Sequence, residues 1–143
     1  MIEFHAGNGP DSQAVGIVLE EMFLTYRVMP GRAPMPVISL SGARVVGRAN
    51  IAMALARKTG RFLPNSDDAM RWGDPKTFDA AGLEAILSHG AFIAGDVTVA
   101  DMAAYPLLVK RPELAQGRTA ITRWMGAMMR RPATGRGMGV IVA

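Results

Sequence analysis

Residues 42–64 decide the fold and read GARVVGRANIAMALARKTGRFLP. The β-branched run at 43–46 predicts a strand, and a helix is predicted to begin after Gly47. Gly60, which can adopt a left-handed C-cap, and Pro64 predict where this helix ends. Its apolar residues recur at the helical period and are expected to be buried: Ile51, Ala52, Leu55 and Ala56. Its other face is expected to be exposed: Asn50, Met53 and Arg57.

The residues before this stretch predict a small mixed sheet. Residues 2–6 alternate apolar and polar side chains, as a half-buried strand does, and residues 25–29 predict a second strand. The helix between them begins at a cap that is either Asp11 or Ser12. Two further β-branched runs follow, joined at Ser41-Gly42 by a hairpin turn. The first 64 residues are therefore expected to fold as β-α-β-β-β-α.

The residues after 65 predict helices, with strand-like residues only at the end of the chain. Short helices are expected to begin at Ser66 and at Asp74-Pro75. Thr98 and Asp101 have the spacing of a capping box, in which each side chain accepts the backbone N–H of the other residue at the start of a helix. Pro106 is expected to kink that helix.

The last predicted helix begins at about Thr119 and lies in a basic segment. Its apolar stripe is interpreted as core packing: Ile121, Trp124, Met125 and Met128. The chain has a formal net charge of +4, but residues 110–136 hold seven cations and only Glu113, so this segment is +6 and the rest is −2. A solvated helix face with a basic tail explains this charge, and a surface for an acidic protein or nucleic acid is the alternative. Nucleic acid is disfavoured because aromatic residues do not alternate with the arginines.

The composition excludes several kinds of site. The chain has 143 residues and no cysteine, which rules out disulfides, thiolate metal sites and a redox thiol of the protein's own. Neither histidine has a partner at helical spacing, so no metal site is predicted. His5 lies near the turn that follows the first strand and is either simply exposed or within reach of a ligand there. The lack of a signal-like start or a long apolar stretch predicts a soluble, cytoplasmic protein without membrane contact.

Five stretches resemble the glutathione transferase family. NGPDSQAVGIVLEE at 8–21 is similar to the first active-site turn and helix, and MPVI at 35–38 to a K-V-P-V-L segment whose proline follows a cis peptide bond. IAMALARKTGRFLP at 51–64, FIAGDVTVADMAAYP at 92–106 and RRPATGRG at 130–137 are similar to later family motifs. The resemblance is closest to bacterial members with an asparagine in the first turn. It implies an α/β, thioredoxin-like N-terminal domain at 1–64 and a shortened all-α C-terminal domain at 65–143.

The resemblance also implies where the thiol of glutathione would be activated. Family members place a hydroxyl or thiol six positions before the first-helix valine, here Val15, and that position is Gly9, which offers no donor. The nearest members use an asparagine two residues later, which is Asp11 here, and a carboxylate raises the pKa of a neighbouring thiol. Ser12 is then the candidate catalytic residue if the chain is active, and a plain helix cap is its other role.

The ligand-binding positions implied by the family are partly replaced. Members hold the γ-glutamyl group of glutathione with Glu-Ser, where this chain has Gly47 and Arg48. Arg48, at a helix N-terminus, either grips a carboxylate or phosphate or faces solvent. Met35 and Pro36 are the other ligand-binding candidates, because the backbone there pairs with the cysteinyl part of the ligand in thioredoxin-like folds.

Two segments are shorter than the family pattern implies. Residues 26–36 are too few for a second helix, and residues 64–95 are too few for the two long helices of the electrophile pocket and dimer interface.

Three functions stay open. The favoured hypothesis is a catalytically degenerate homologue that acts as a homo-oligomer or with a protein partner, through adaptable methionine-rich surfaces. The others are a glutathione-dependent transferase or disulfide reductase that uses Ser12, and a binder of another small anionic ligand at Arg48.

Overall fold

The computed structural model describes residues 1–140, and its first part is a four-stranded mixed sheet. The strands are β1 (Ile2–His5), β2 (Tyr26–Val28), β3 (Val37–Leu40) and β4 (Ala43–Val46), arranged in the order β2-β1-β3-β4. The parallel pair β1 and β2 is connected by helix α1 (Pro10–Glu21), and β3 runs antiparallel to both β1 and β4. With helix α2 (Arg48–Thr59), this confirms the predicted β-α-β-β-β-α order and the thioredoxin-like arrangement.

The β3–β4 hairpin and the end of α2 follow the sequence prediction, whereas one face of α2 does not. The hairpin turns at Ser41 and Gly42 with φ values of 52° and 81°, the mirror-image geometry that two-residue hairpins favour. Gly60 caps α2 in the left-handed conformation, with φ 68°. Met53, expected to be exposed, is only 6% exposed. The prediction was wrong because α2 packs against α1 and a C-terminal helix as well as the sheet.

The second part of the described chain is helical. It contains a 3₁₀ helix (Asp67–Gly73), α3 (Ala80–Ser88), α4 (Val99–Lys110), a short 3₁₀ turn (Pro112–Ala115), α5 (Thr119–Met129) and α6 (Pro132–Gly139). Ser66 starts the first of these as predicted, because its Oγ accepts the Asp68 N–H at 3.1 Å. Asp74-Pro75 does not start a helix: Asp74 Oδ1 accepts the Lys76 N–H at 2.9 Å, which closes a turn instead.

The capping box at the start of α4 is confirmed and is buried. The Asp101 carboxylate accepts the backbone N–H groups of Thr98 and Ile93 and the indole N–H of Trp124, each at 2.9 Å. Burial raises the pKa of Asp101, and the three donors partly oppose this. Pro106 lies inside α4, which continues to Lys110. This carboxylate therefore joins α4 to α5 and to the loop before α4.

The basic C-terminal segment is folded rather than a free tail. Helix α6 was not predicted; it packs along α1, and its arginines bind the end of α1. Arg131 pairs with Glu21 at 2.5 Å and Arg136 with Glu20 at 2.7 Å. The stripe on α5 does pack in the core, with Ile121, Trp124 and Met128 buried and Met125 half-buried. The strand expected at the end of the chain falls largely on residues 141–143, which lie outside the described residues.

Helix α1 is the centre of the packing. It contacts α2, α4 and α6, and eight of its twelve residues are buried. At its crossing with α6, a Cβ placed on Gly16 would lie 2.6 Å from the carbonyl oxygen of Gly137. Glycine at both positions is therefore what lets the two helices approach. Within residues 1–140, no helix is long and apolar enough to cross a bilayer.

Candidate functional site

A cleft lies where the first turn, the N-terminus of α2 and the loop before β3 face the helical part. It consists of two adjoining cavities of about 330 Å³ and about 490 Å³. Asp11 and Pro75 line both cavities, so the two lie side by side. These volumes fall within the range of small-molecule sites. The sequence candidates Ser12, Met35, Pro36 and Arg48 all line this cleft, and the structure brings them together.

The first turn is closed by backbone geometry and by a buried serine. Helix α1 begins at Pro10 after Gly9, whose φ of 100° suits glycine, and no side chain caps it. Asp11 and Ser12 therefore lie inside the first helical turn, and the prediction that one of them is the cap was wrong. Ser12 is 1% exposed, and its Oγ accepts the Gly7 N–H at 2.8 Å. Its hydroxyl thus holds the turn against α1.

Arg48 is buried in the wall of the cleft, so the solvent-facing alternative is wrong. Its side chain is 10% exposed, and Nη1 donates to the Met70 carbonyl at 3.2 Å. Its Nε lies 3.5 Å from Asp11 Oδ1. Burial lowers the pKa of Arg48, and the carboxylates of Asp11 and Asp74 oppose this. The guanidinium connects α1, α2 and the 3₁₀ helix.

Met35 and Pro36 form the edge of the cleft next to the sheet. Pro36 is buried, and its carbonyl accepts the Gly47 N–H at 2.9 Å, which ties this loop to the start of α2. Met35 is 50% exposed at the mouth of the larger cavity. Across residues 1–140 the peptide bonds are trans, so the cis bond of the family pattern is not found before Pro36.

The cleft also contains charged groups that the sequence did not single out. Asp74 and Lys76 line the larger cavity, and Lys110 and Arg111 line the smaller one. Asn8, in the first turn, lines the smaller cavity as well. The four charged residues lie in turns and at a helix end far from the first turn in sequence, so no local signal marked them.

His5 and metal ligands do not contribute to this cleft. His5 pairs with Val37 in the sheet and lines neither cavity. In the described part of the chain, no group of three His, Asp or Glu side chains is arranged to hold a metal ion.

Comparison with known proteins gives matches in structure alone. No family model matches the sequence, and no curated protein matches it. A glutathione transferase from Burkholderia graminis, solved with two glutathione molecules per subunit, superimposes with a TM-score of 0.75 at 21% identity, over 96% of this chain and 87% of that one. URE2P6 of Phanerochaete chrysosporium, in apo form, gives 0.80 at 21% identity, over 97% of this chain and 96% of that one.

A third similar structure is the theta-class glutathione S-transferase of Xanthomonas axonopodis pv. citri with glutathione bound. It gives a TM-score of 0.79 at 15% identity, over 99% of this chain and 98% of that one. The superpositions with all three proteins extend over both the mixed sheet and the helical part, since each covers 96% or more of this chain. This chain has the glutathione transferase fold.

Proposed function

We propose that the chain is a shortened, catalytically degenerate protein of the glutathione transferase fold that acts through association, as a homodimer or as a subunit of a larger assembly. The observation that carries the proposal is the ion pair of Asp11 and Arg48, 3.5 Å apart in the cleft. The two side chains engage each other at the positions where the resemblance implies thiol activation and γ-glutamyl binding. The implied ligand positions are thus used for internal contacts.

A thiolate in this cleft would lack the stabilisation it needs. Gly9 has no side chain, and the Asp11 carboxylate would raise the pKa of a nearby thiol. Ser12 is only 1% exposed, so its hydroxyl presents little surface to a ligand in the cleft. Glutathione that entered the cleft would therefore remain largely a thiol at neutral pH.

The γ-glutamyl end of glutathione does not fit residues 47 and 48. Gly47 supplies no carboxylate for its amino group, and the Arg48 guanidinium is already bonded to the Met70 carbonyl. Turning Arg48 toward a ligand would leave that carbonyl without its donor and Asp11 without its cation. The loss at the carbonyl weakens binding, because a buried group left unpaired is costly, whereas the Asp11 side chain is 52% exposed and can be hydrated.

The exposed apolar side chains support the association part of the proposal. Within residues 1–140, eight large ones are more than two-fifths exposed: Met1, Phe23, Val28, Met35, Val46, Leu63, Val109 and Met129. Met35 and Val46 lie together at the mouth of the larger cavity, where one partner could cover both. Methionine suits such a surface because its side chain is flexible and polarizable.

Two measurements on the wild-type protein test this proposal. Sedimentation equilibrium over the micromolar range is expected to detect a species larger than the 15.3 kDa monomer. Titration calorimetry at low salt, with reduced and oxidised glutathione up to millimolar concentration, is expected to give no saturable heat. A monomer throughout that range, or saturable glutathione binding, contradicts the proposal.

A second candidate is a glutathione-dependent transferase or disulfide reductase with an altered site, and the size of the cleft favours it. The Ser12 hydroxyl keeps its hydrogen, and the Asn8 amide is a further donor on the same cavity. Asp74 and Lys76 supply opposite charges for an amine and a carboxylate. The similar proteins from Burkholderia and Xanthomonas were solved with glutathione bound.

The second candidate makes a distinct prediction. It requires saturable heat on glutathione titration that is lost in Arg48→Ala, with turnover of a chloronitrobenzene electrophile that is lost in Ser12→Ala. Ser88→Ala is the matched control, because Ser88 is exposed and lines neither cavity of the cleft. Binding without turnover would leave the third hypothesis, a binder of a small anionic molecule.

A further inference from the structure

A second hollow, of about 430 Å³, lies at the opposite end of the sheet from the cleft. The cleft gathers the C-terminal end of β1 and the N-termini of α1 and α2. The hollow is formed by the N-terminal end of β1, the loop after α1, the β3–β4 turn and the C-terminal end of α2. It shares no lining residue with the cleft, and its volume is in the range of small-molecule sites.

The floor of the hollow is apolar. Ile2, Leu24, Leu40 and Leu55 line it, and Leu55 is fully buried beneath it. Met1 stands at the rim with 81% of its surface exposed. An alkyl chain placed here would bury apolar surface on both sides, which favours binding.

The polar end of the hollow offers donors. Lys58 Nζ donates to Ser41 Oγ at 2.6 Å, and Ser39 Oγ accepts the Glu3 N–H at 3.1 Å. Both hydroxyl oxygens are thus engaged while their hydrogens stay available, and the Lys58 ammonium keeps two further hydrogens. Among the residues that line the hollow, Lys58 carries the only charged side chain. A group that only accepts hydrogen bonds and is negatively charged complements this end.

The hairpin turn supplies one hydroxyl of this polar end. Ser41, with φ 52°, belongs to the mirror-image turn that joins β3 and β4, and it lines the hollow. Its Oγ accepts a hydrogen bond from the Lys58 ammonium, near the C-terminal end of α2. The turn and the end of α2 therefore bring a hydroxyl and an ammonium together at one side of the hollow.

We propose that this hollow binds a medium-chain aliphatic carboxylate, with the alkyl chain on the apolar floor and the carboxylate on Lys58, Ser41 and Ser39. The positive charge and the hydrogen-bond donors favour a carboxylate at the polar end, and the leucine side chains of the floor favour an alkyl chain in the ligand. This site is separate from the cleft and does not depend on the function proposed for it.

The test is a titration of octanoate, below its micelle concentration, into isotope-labelled protein followed by amide NMR. Saturable shifts are expected at Leu24, Ser39 and Ser41. Lys58→Met keeps the aliphatic stem and removes the charge, and it is expected to weaken binding about tenfold or more. Arg57→Met, on the same helix but outside the hollow, is expected to bind as the wild type does.

Four results would overturn the proposal. They are no saturable shift at millimolar octanoate, equally tight binding of uncharged octan-1-ol, shifts confined to the cleft around Asp11, and equal binding by Lys58→Met and wild type. Lys58 is exposed, so the variant is expected to fold, and unchanged amide positions elsewhere in its spectrum check this. Glutathione titrated in parallel reports on the cleft alone, so the two proposals can fail separately.

Discussion

Gly137 of α6 lies against Ile17 of α1 so closely that a Cβ atom at residue 137 would be 2.3 Å from the Ile17 backbone nitrogen. Real Cβ atoms do not approach backbone this way, so the crossing exists only with glycine there. The ion pairs of Arg131 and Arg136 with the end of α1 hold the same two helices together. Close packing therefore fixes α6 near its C-terminal end, and two ion pairs hold it at its N-cap, Arg131, and at Arg136.

Gly137→Ala is expected to separate α6 from α1 and to lower the free energy of unfolding by about 2–3 kcal/mol, the upper part of the range for overpacking. Gly135→Ala is the matched control, because a Cβ at Gly135 meets no atom within 4 Å. This control is expected to stabilise the helix by about 0.5–1 kcal/mol. Urea denaturation measures the free energy of unfolding of both variants. Equal changes in the two would contradict the close contact of α6 with α1 at Gly137.

The contacts of Glu20, on α1, with Tyr26 of β2 and Arg136 of α6 are expected to weaken in acid. The Tyr26 hydroxyl, which donates to Glu20 at 2.6 Å, and Arg136 hold the pKa of Glu20 below its usual value. A carboxyl whose pKa is lower in the folded state contributes stability above its unfolded pKa of about 4.3, and loses it as the pH falls through the folded value. Urea midpoints of the wild type are therefore expected to fall more steeply below about pH 5 than those of Glu20→Gln.

The control for this pH series is Glu113→Gln. Glu113 is exposed, with 59% of its side chain accessible, and pairs with Arg111 on the surface. This variant is expected to keep the slope of the wild type. If Glu20→Gln loses stability in acid as steeply as the wild type does, Glu20 is not the cause of the acid sensitivity.

Arg48→Met tests whether the arginine is an internal structural contact. The methionine keeps the stem but leaves the Met70 carbonyl without its donor, so a loss of about 1–3 kcal/mol is expected. Arg57→Met removes an exposed pair with Asp67 and is expected to change stability by less than about 0.5 kcal/mol. Chemical denaturation compares the two variants, and an unchanged Arg48→Met protein would mean that Arg48 is free for a ligand.

Glu84→Ala is expected to destabilise the N-terminus of α5. The Glu84 carboxylate, from α3, accepts the backbone N–H groups of Ala120 and Ile121 at 3.0 and 2.9 Å. It acts as a helix cap supplied by another helix, so its loss is expected to cost about 1–2 kcal/mol. Hydrogen exchange should speed up at these two amides, while Glu113→Ala leaves them protected.

The sequence predicted the elements whose signals are local. The Ser41-Gly42 turn, the Gly60 cap of α2 and the Thr98 and Asp101 capping box each depend on residues within a few positions, and each is confirmed. Helix α6 was missed because PATGRGMG has three glycines and low helix propensity. Its stability comes from packing on α1, more than a hundred residues earlier in the chain. A prediction from neighbouring residues cannot detect such a distant contact.

The contents of the cleft were predicted better than their contacts. Ser12, Met35, Pro36 and Arg48 do meet there. The partner of Arg48 is a backbone carbonyl 22 residues away, and a carbonyl leaves no mark in the sequence. From the sequence alone, Arg48 could therefore be interpreted only as a ligand-binding residue or a solvent-facing one. In the structure it donates a hydrogen bond to the Met70 carbonyl.

The burial of α1 sets the order in which the molecule can be completed. Residues 10–21 are synthesised well before the helix that covers them, which spans Pro132–Gly139. Until Gly137 has emerged, the nascent chain carries an apolar helix with an open side, which is the kind of surface that chaperones bind and that aggregates. The core therefore closes only once α6 has been synthesised, so the packing of α1 on the sheet depends on residues more than a hundred positions later.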